Sequence, residues 1–453
     1  MLSACSMLLT GCVSNQEIAG ECYYMARSAM RTLPKSNIYV INVDSKEGSR
    51  LDVYFQIPYS RIHFEKDQDL FKGSYSVSFV LRGADEAVVR TRDLDRTVIA
   101  QSYNESISGR HDAFLEVFPV APGNYSMSMV VTDNRSKRQF RRRFRVEARD
   151  FSKTSLALGD YLLFERAHPA KGSISITPLF PSDLSFTQDS IGLFQELYHI
   201  ERGDTILLRI TCGATKPNAS SDSIVPTLSP PYSPNLPECR HPVDSVYYVS
   251  DSAFVVVEGG KLQLFQYFPK PKEGITTLTR TVYRFHNGAV DSAVTLQKLP
   301  LYPSSFPRVN GVGEEIAAVS CIARPDEYAT LRDAKTPAER TAQLDKFWEQ
   351  HGGGIRRKEF LDRVAEANEL FSSCAEGWKT PMGIVYIVCG PPDYVECRGR
   401  VDEVWSYDLG GNSAFVVPFR QSLVIDYDRY FELPPFSINE FTWDQFVDRW
   451  RRQ

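Results

Sequence analysis

The chain has 453 residues, of which 42% are hydrophobic, 12% aromatic and 24% charged. At about 100–200 residues per domain this is a folded protein of several domains, and it excludes a mostly disordered or collagen-like chain. The 52 basic and 56 acidic residues leave a net charge of −4, so no global bias toward nucleic acid or acidic membranes is present, and no nucleic-acid partner is expected.

The first dozen residues end in Leu9-Thr10-Gly11-Cys12. This resembles a bacterial lipobox, with small residues before the Cys and polar ones after it. Residues 1–12 are therefore expected to be a lipoprotein signal ending in a lipidated Cys12, followed by a linker over 13–36. No Lys or Arg precedes Arg27, so the charged start that a signal peptide needs is expected upstream. After this stretch no apolar run reaches the ~18 residues of a membrane-spanning helix.

Residues 37–150 read as a β-sandwich. Asn37–Val43, Arg50–Ile57, Ser74–Arg82, Ala113–Phe118, Ser126–Thr132 and Phe140–Val146 are rich in β-branched and aromatic residues, with turn clusters between them. Arg138, Arg141, Arg142, Arg143 and Arg145 form a basic cluster; alternation along a strand puts most of one set on the solvent side, so they read as a solvated face rather than a phosphate site.

Residues 151–305 read as a second β domain. Strands are expected at Tyr161–Glu165, Thr205–Thr211, Ser245–Val249, Ala253–Glu258, Leu262–Tyr267 and Leu278–Phe285. A Pro- and Ser-rich loop, 213–238, lies between Cys212 and Cys239. An envelope location permits disulfides, and Cys212–Cys239 and Cys389–Cys397 are the candidate bridges. Free, buried thiols are the equal alternative. A bridge closing the Cys212 loop stabilises by about 3–4 kcal/mol in the loop-closure model.

Residues 306–453 switch to α then β. Thr336-Pro337-Ala338-Glu339 is a capping box that opens a helix running to about Gln350, which stops at Gly352-Gly353-Gly354. Phe360, Val364, Ala367 and Phe371 form one face of a second helix. Ile384–Cys389, Glu403–Tyr407, Ala414–Phe419 and Leu423–Tyr427 read as a small antiparallel sheet. Thr442 caps a last helix whose buried stripe is Trp443, Phe446, Val447 and Trp450. The fold class is thus multidomain and mainly β: two sandwich-like domains, then an α+β domain.

The densest motif is Gly377-Trp378-Lys379-Thr380-Pro381-Met382-Gly383, continuing to Gly390-Pro391-Pro392-Asp393 and, downstream, Trp405. It resembles the signature of the GWxTD-domain family, supported by Leu331-Arg332-Asp333-Ala334 and Ala367-Asn368-Glu369-Leu370-Phe371 upstream. The resemblance implies a Bacteroidota-type envelope protein, often a lipoprotein, and supplies no activity or catalytic residues. Pro381 stands where the family has Asp. Pro can replace Asp as a turn former but not as an acid, base or metal ligand. The motif is therefore expected to be architectural, with a turn at 380–383, Trp378 as anchor and a buried strand over Ile384–Val388.

Asp-Ser/Thr followed by a small or aliphatic residue recurs at Ser190, Thr205, Ser223, Ser245, Ser252 and Ser292. It resembles the O-glycosylation sequon of Bacteroidota envelope proteins. The simpler reading is that Asp and Ser begin turns before strands.

No catalytic set is legible. His351-Gly352-Gly353-Gly354 resembles an esterase oxyanion loop but no Gly-x-Ser-x-Gly turn accompanies it. Asp393, Glu396, Asp402 and Glu403 lack calcium-loop spacing. The seven His residues are scattered singly, and no metal or cofactor is expected. These features point to a lipid-anchored outer-membrane protein of the cell envelope, periplasmic or surface-facing, with a binding, assembly or structural role and an envelope protein partner. The alternative is an envelope hydrolase with a site at the junction of the second and C-terminal domains.

Overall fold

The computed structural model describes residues 22–24, 34, 36–46, 48–170, 173–180, 189–214, 245–270, 274–302, 305–309, 311–372, 375–398, 402–411, 413–421, 431–434 and 438–451. Cys12, Ser223 and Cys239 lie outside them, as do most of loop 213–238 and the side chains of Ser245 and Cys397.

Strand β1 (Cys22–Tyr24) is followed by a sandwich of β2 (Asn37–Val43), β3 (Ser49–Pro58), β4 (Phe64–Asp67), β5 (Leu70–Arg82), β6 (Val88–Ala100), the one-turn helix α1 (Tyr103–Ser106), β7 (His111–Val120), β8 (Gly123–Asp133) and β9 (Gln139–Ala148). One sheet runs β2-β3-β7, the other β4-β5-β8-β9 with β6 also on β5. Alternate residues build the core: Leu51, Val53, Phe55 and Ile57 from β3 meet Tyr75, Val77, Phe79 and Leu81 from β5. The sequence reading missed β6, because Arg, Thr and Asp occupy both of its faces and only Val98 and Ala100 are buried. It also placed the β9 arginines in solvent. Arg141, Arg142 and Arg143 are half-buried; Arg142 lies over the Phe144 ring and Arg143 pairs with Glu86.

The second β unit comprises β10 (Ala157–Leu158), β11 (Leu162–Ala170), β12 (Ser173–Pro178), β13 (Ser190–Ile200), β14 (Thr205–Ala214), β15 (Ser245–Val255), β16 (Gly260–Pro269), β17 (Gly274–His286) and β18 (Ala289–Leu301). In one sheet β13 pairs with β16 on one side and with β10 and β11 on the other; the second sheet runs β15-β14-β17-β18. Leu163, Ile191 and Leu193 pack on Ile210, Leu278 and Leu299 between them. Arg280 is fully buried in this interior, its guanidinium donating to the Gln195 and Gln266 amide oxygens at 3.0 and 2.9 Å. Burial lowers it to about 10. The two strands expected at 245–249 and 253–258 are one continuous strand to Val255. β13 escaped the sequence reading because both its faces are buried, Gln195 and Glu196 included, so no apolar–polar alternation marks it.

That second face of β13 explains how the two β units join. Ile41 and Val43 of β2 pack on Leu162, Phe164 and Phe194. Asp160 closes the seam: one oxygen accepts from the Asn42 backbone and side-chain nitrogens at 2.7 and 2.9 Å, and the other from Arg149 at 2.7 Å.

The C-terminal unit begins with α2 (Gly311–Val319), α3 (Pro325–Arg332), α4 (Pro337–Gln350) and α5 (Gly353–Phe371), followed by α6 (Pro381–Cys389). Strands β19 (Tyr394–Arg398), β20 (Asp402–Gly410), β21 (Ser413–Gln421) and β22 (Phe431–Glu432) and helix α7 (Glu440–Arg451) complete it. The sheet order is β1-β19-β20-β21-β22, so residues 22–24, expected in a linker, lie on the edge of the C-terminal sheet. Thr336 and Glu339 form the expected capping box of α4. Two local expectations are corrected. Ile384–Cys389 is helix, not strand, and Asn439 rather than Thr442 caps α7, accepting from the Thr442 N–H at 3.0 Å. Among the described residues no helix is long and apolar enough to cross a membrane.

Replacing Asp160 with Ala leaves the Asn42 amide groups and Arg149 without their acceptor. The expected loss is about 1–3 kcal/mol, read by calorimetry as a lower melting transition of the β units.

Candidate functional site

The signature places α6. Its nine residues are all buried, so a helix with no solvent face must run through the C-terminal core. Two glycines make room for it. A Cβ on Gly377 would sit 1.9 Å from the Ala367 carbonyl oxygen of α5, and one on Gly383 would sit 1.8 Å from the Gly377 carbonyl oxygen. Thr380 is the N-cap: its hydroxyl donates to the Gly377 carbonyl at 2.7 Å and accepts from the Gly383 N–H at 3.1 Å. Pro381 is the first helical residue, where its missing N–H costs nothing. The expected turn at 380–383 is therefore a helix start. Upstream, Asn368 of α5 accepts from the Trp378 N–H at 3.0 Å and donates to the Pro307 carbonyl at 2.7 Å. Trp378 is buried against this core, as an anchor.

The far end of α6 is held by side chains from three other elements. Arg363 of α5 donates to the Ile387 carbonyl at 3.2 Å, Trp450 of α7 to the Val388 carbonyl at 3.0 Å, and Tyr407 of β20 to the Gly390 carbonyl at 3.0 Å. Gly390 leaves the helix at φ 84°, a left-handed value that favours Gly. Pro391 and Pro392 follow. Asp393 accepts from the Asp408 N–H at 2.7 Å, pinning the β19 entry to β20, and Trp405 is buried between Phe371 and Phe419.

Around this helix end opens a cleft of about 410 Å³, lined by Arg356, Glu359 and Arg363 of α5, Val388, Cys389, Gly390 and Pro391, and Phe446, Arg449 and Trp450 of α7. Three guanidinium groups face one carboxylate. Glu359 serves both Arg356 and Arg363, at 3.1 Å each. Arg363 lies over Trp450 at 4.6 Å and Arg449 over Phe446 at 4.5 Å from the ring centres. Burial lowers the Arg363 guanidinium from its ordinary value, and burial raises the Cys389 thiol well above its own against the pull of Arg363 and Arg449. Burial thus disfavours the thiolate form of Cys389 in the cleft wall.

Helix α7, which carries two aromatic residues and one arginine of the cleft, is docked by Arg451. Its guanidinium meets Glu327 of α3 at 2.6 and 2.7 Å, and His351 lies 3.3 Å from the same carboxylate. Burial alone would raise Glu327, but hydrogen bonds from Arg451 and the Arg324 N–H, together with the Arg451 charge, hold it at about 2.

The remaining sequence candidates do not gather at this cleft. Cys212 carries a free thiol packed inside the second sandwich, and burial raises it to about 12. Cys389, which does line the cleft and was expected to pair with Cys397, is also a free thiol. Ser190, Thr205, Ser252 and Ser292 are exposed on strands of the second unit. Among the described residues no group of three His, Cys, Asp or Glu side chains could hold a metal ion. The sequence reading missed Arg356, Glu359, Arg363 and Arg449. The first three share one helix face at i, i+3 and i+7, a legible pattern, but nothing local to α7 brings Arg449 beside them.

Residues 281–452 match the family model of the GWxTD domain. The chain carries a GWxTD domain. Its matched region takes in the cleft and the whole α6 crossing, and starts within β17 of the second β unit. No curated protein matches the chain. Among solved structures, red sea bream transglutaminase is similar over 61% of this chain and 33% of its own, at 8% identity and a TM-score of 0.18. The chain thus spans about a third of that protein's length, and the likeness carries no argument.

Three outcomes are expected of the GWxTD crossing and its neighbour. Gly383→Ala forces a methyl group onto a backbone carbonyl and should cost about 3 kcal/mol or more. Thr380→Val should cost about 1–3 kcal/mol by leaving the Gly383 N–H unpaired, with Thr380→Ser restoring it. Denaturant melts of the full chain read both. For Glu327, the folded value lies below the ordinary 4.5, so its contribution is present above pH 4.5 and lost as pH falls toward 2. The gap in melting temperature between wild type and Glu327→Gln should narrow across that window.

Proposed function

We propose that the chain is a lipid-anchored cell-envelope protein, held at the outer membrane through Cys12, whose GWxTD domain binds a partner and whose β units carry that domain. The anchor reading is supported by Leu9-Thr10-Gly11-Cys12. One observation carries the binding role. The polar groups of the signature, Thr380 Oγ1 and the Gly377 and Trp378 N–H groups, all make hydrogen bonds inside the domain. The motif therefore shapes a scaffold, and what that scaffold presents beside it is a cleft rich in arginine and aromatic side chains, residue types that dominate recognition surfaces.

The test starts from the full upstream reading frame. Wild type should sediment with membranes and carry an acyl mass on Cys12, and Cys12→Ser should move to the soluble fraction. A wild-type protein without acyl mass overturns the anchor. In crosslinked, detergent-solubilised membranes a defined partner band should be retained by the Cys12-anchored wild type and lost with Arg449→Glu. A band unaffected by the charge reversal removes the cleft from the binding role.

A further inference from the structure

We propose that the cleft at the C-terminal end of α6 binds an amphiphilic oxyanion: a phosphate or carboxylate head on a short apolar body. The charge balance comes first. Arg356, Arg363 and Arg449 share the cleft lining with one carboxylate, Glu359; Glu366 acts on Arg363 from outside the lining, and the α6 C-terminus adds about half a negative charge. The cleft stays positive after that subtraction. Arg363 is the fixed member, since it caps α6 and rests on Trp450. Arg356 shares the Glu359 carboxylate with Arg363. Among the described residues Arg449 has no carboxylate partner, and its guanidinium carbon lies over the Phe446 ring, 4.5 Å from its centre. A guanidinium that contacts a ring and pairs with no carboxylate keeps N–H donors for a forked oxyanion.

The apolar body follows from the floor. Val388, Pro391, Phe446 and Trp450 line the cleft beneath the guanidinium groups, and a volume near 410 Å³ is the size of a small-molecule site. An inorganic anion would leave that floor bare, and a neutral alkyl chain would leave the arginines unmatched. A group with both parts meets both surfaces.

This inference rests on the reading of the GWxTD domain as a binding module, not on the anchor. Titration calorimetry on the full chain compares inorganic phosphate, hexyl phosphate and hexanol. Hexyl phosphate should bind at least tenfold more tightly than either of the others, and more weakly in 1 M than in 0.1 M salt. Arg449→Glu, at an exposed helical position, should lose at least tenfold of that affinity with an unchanged melt. Arg356→Glu is the second variant, should the first fail to fold. Absence of hexyl phosphate binding, or equal binding by the folded variant, overturns the proposal. Vesicles with and without phosphatidic acid separate the sources: Arg449-dependent sedimentation with the acidic vesicles identifies a lipid head group, and binding of the soluble ester alone identifies a free ligand. A chain that takes hexyl phosphate but retains no partner band keeps this site and removes the partner reading.

Discussion

The C-terminal domain depends on one stack of two backbone contacts, where Gly383 of α6 meets the Gly377 carbonyl and Gly377 meets the Ala367 carbonyl of α5. Backbone touches backbone at both points, so no side chain fits. A helix with every residue buried can exist only if its neighbours approach from all sides. The glycines allow the closest approach, and Thr380 and Asn368 satisfy the polar groups that the approach desolvates. Buried backbone groups without partners would cost several times what each hydrogen bond contributes.

The same requirement at the other end of α6 generates the cleft. Helix C-termini leave carbonyls unpaired, and here they are buried. Arg363, Trp450 and Tyr407 supply the donors, each from a different element. Bringing Arg363 and Trp450 to that point sets α5 and α7 side by side with their other polar residues facing the gap. The signature and the cleft are thus two ends of one buried helix, and the architectural role of the first positions the chemistry of the second.

The β units are tied to this domain and to each other by mixed contacts. Arg61 of the first sandwich pairs with Glu369 of α5, and Phe140 packs at the edge of the C-terminal core. Glu315 performs a comparable task within the domain, accepting from Trp348 and from both sides of the Arg357 guanidinium. Buried carboxylates of this kind fix which neighbours meet, because a wrong neighbour would leave a charge unpaired.

Much of the architecture was legible in the sequence. Strict alternation in β3 and β5, the Thr336–Glu339 box and the apolar stripes of α5 and α7 are local signals, and each survives folding because the local period matches the buried face. That Pro381 brings no acid or metal ligand was legible too, but the turn expected around it is the start of a helix. The conformation of Ile384–Cys389 was not. A short β-branched run reads as strand by propensity, but enclosure on all sides, Thr380 at one end and Gly390 at the other make it helix. Nor was β13, whose two buried faces erase the period. The cleft lay furthest from reach: α5 alone shows a line of charged residues, and only the packing of α7 through Glu327 and Arg451 places Arg449 across from it. Sequence determined the elements whose burial pattern is local; tertiary structure decided those whose environment is supplied by residues distant in the chain.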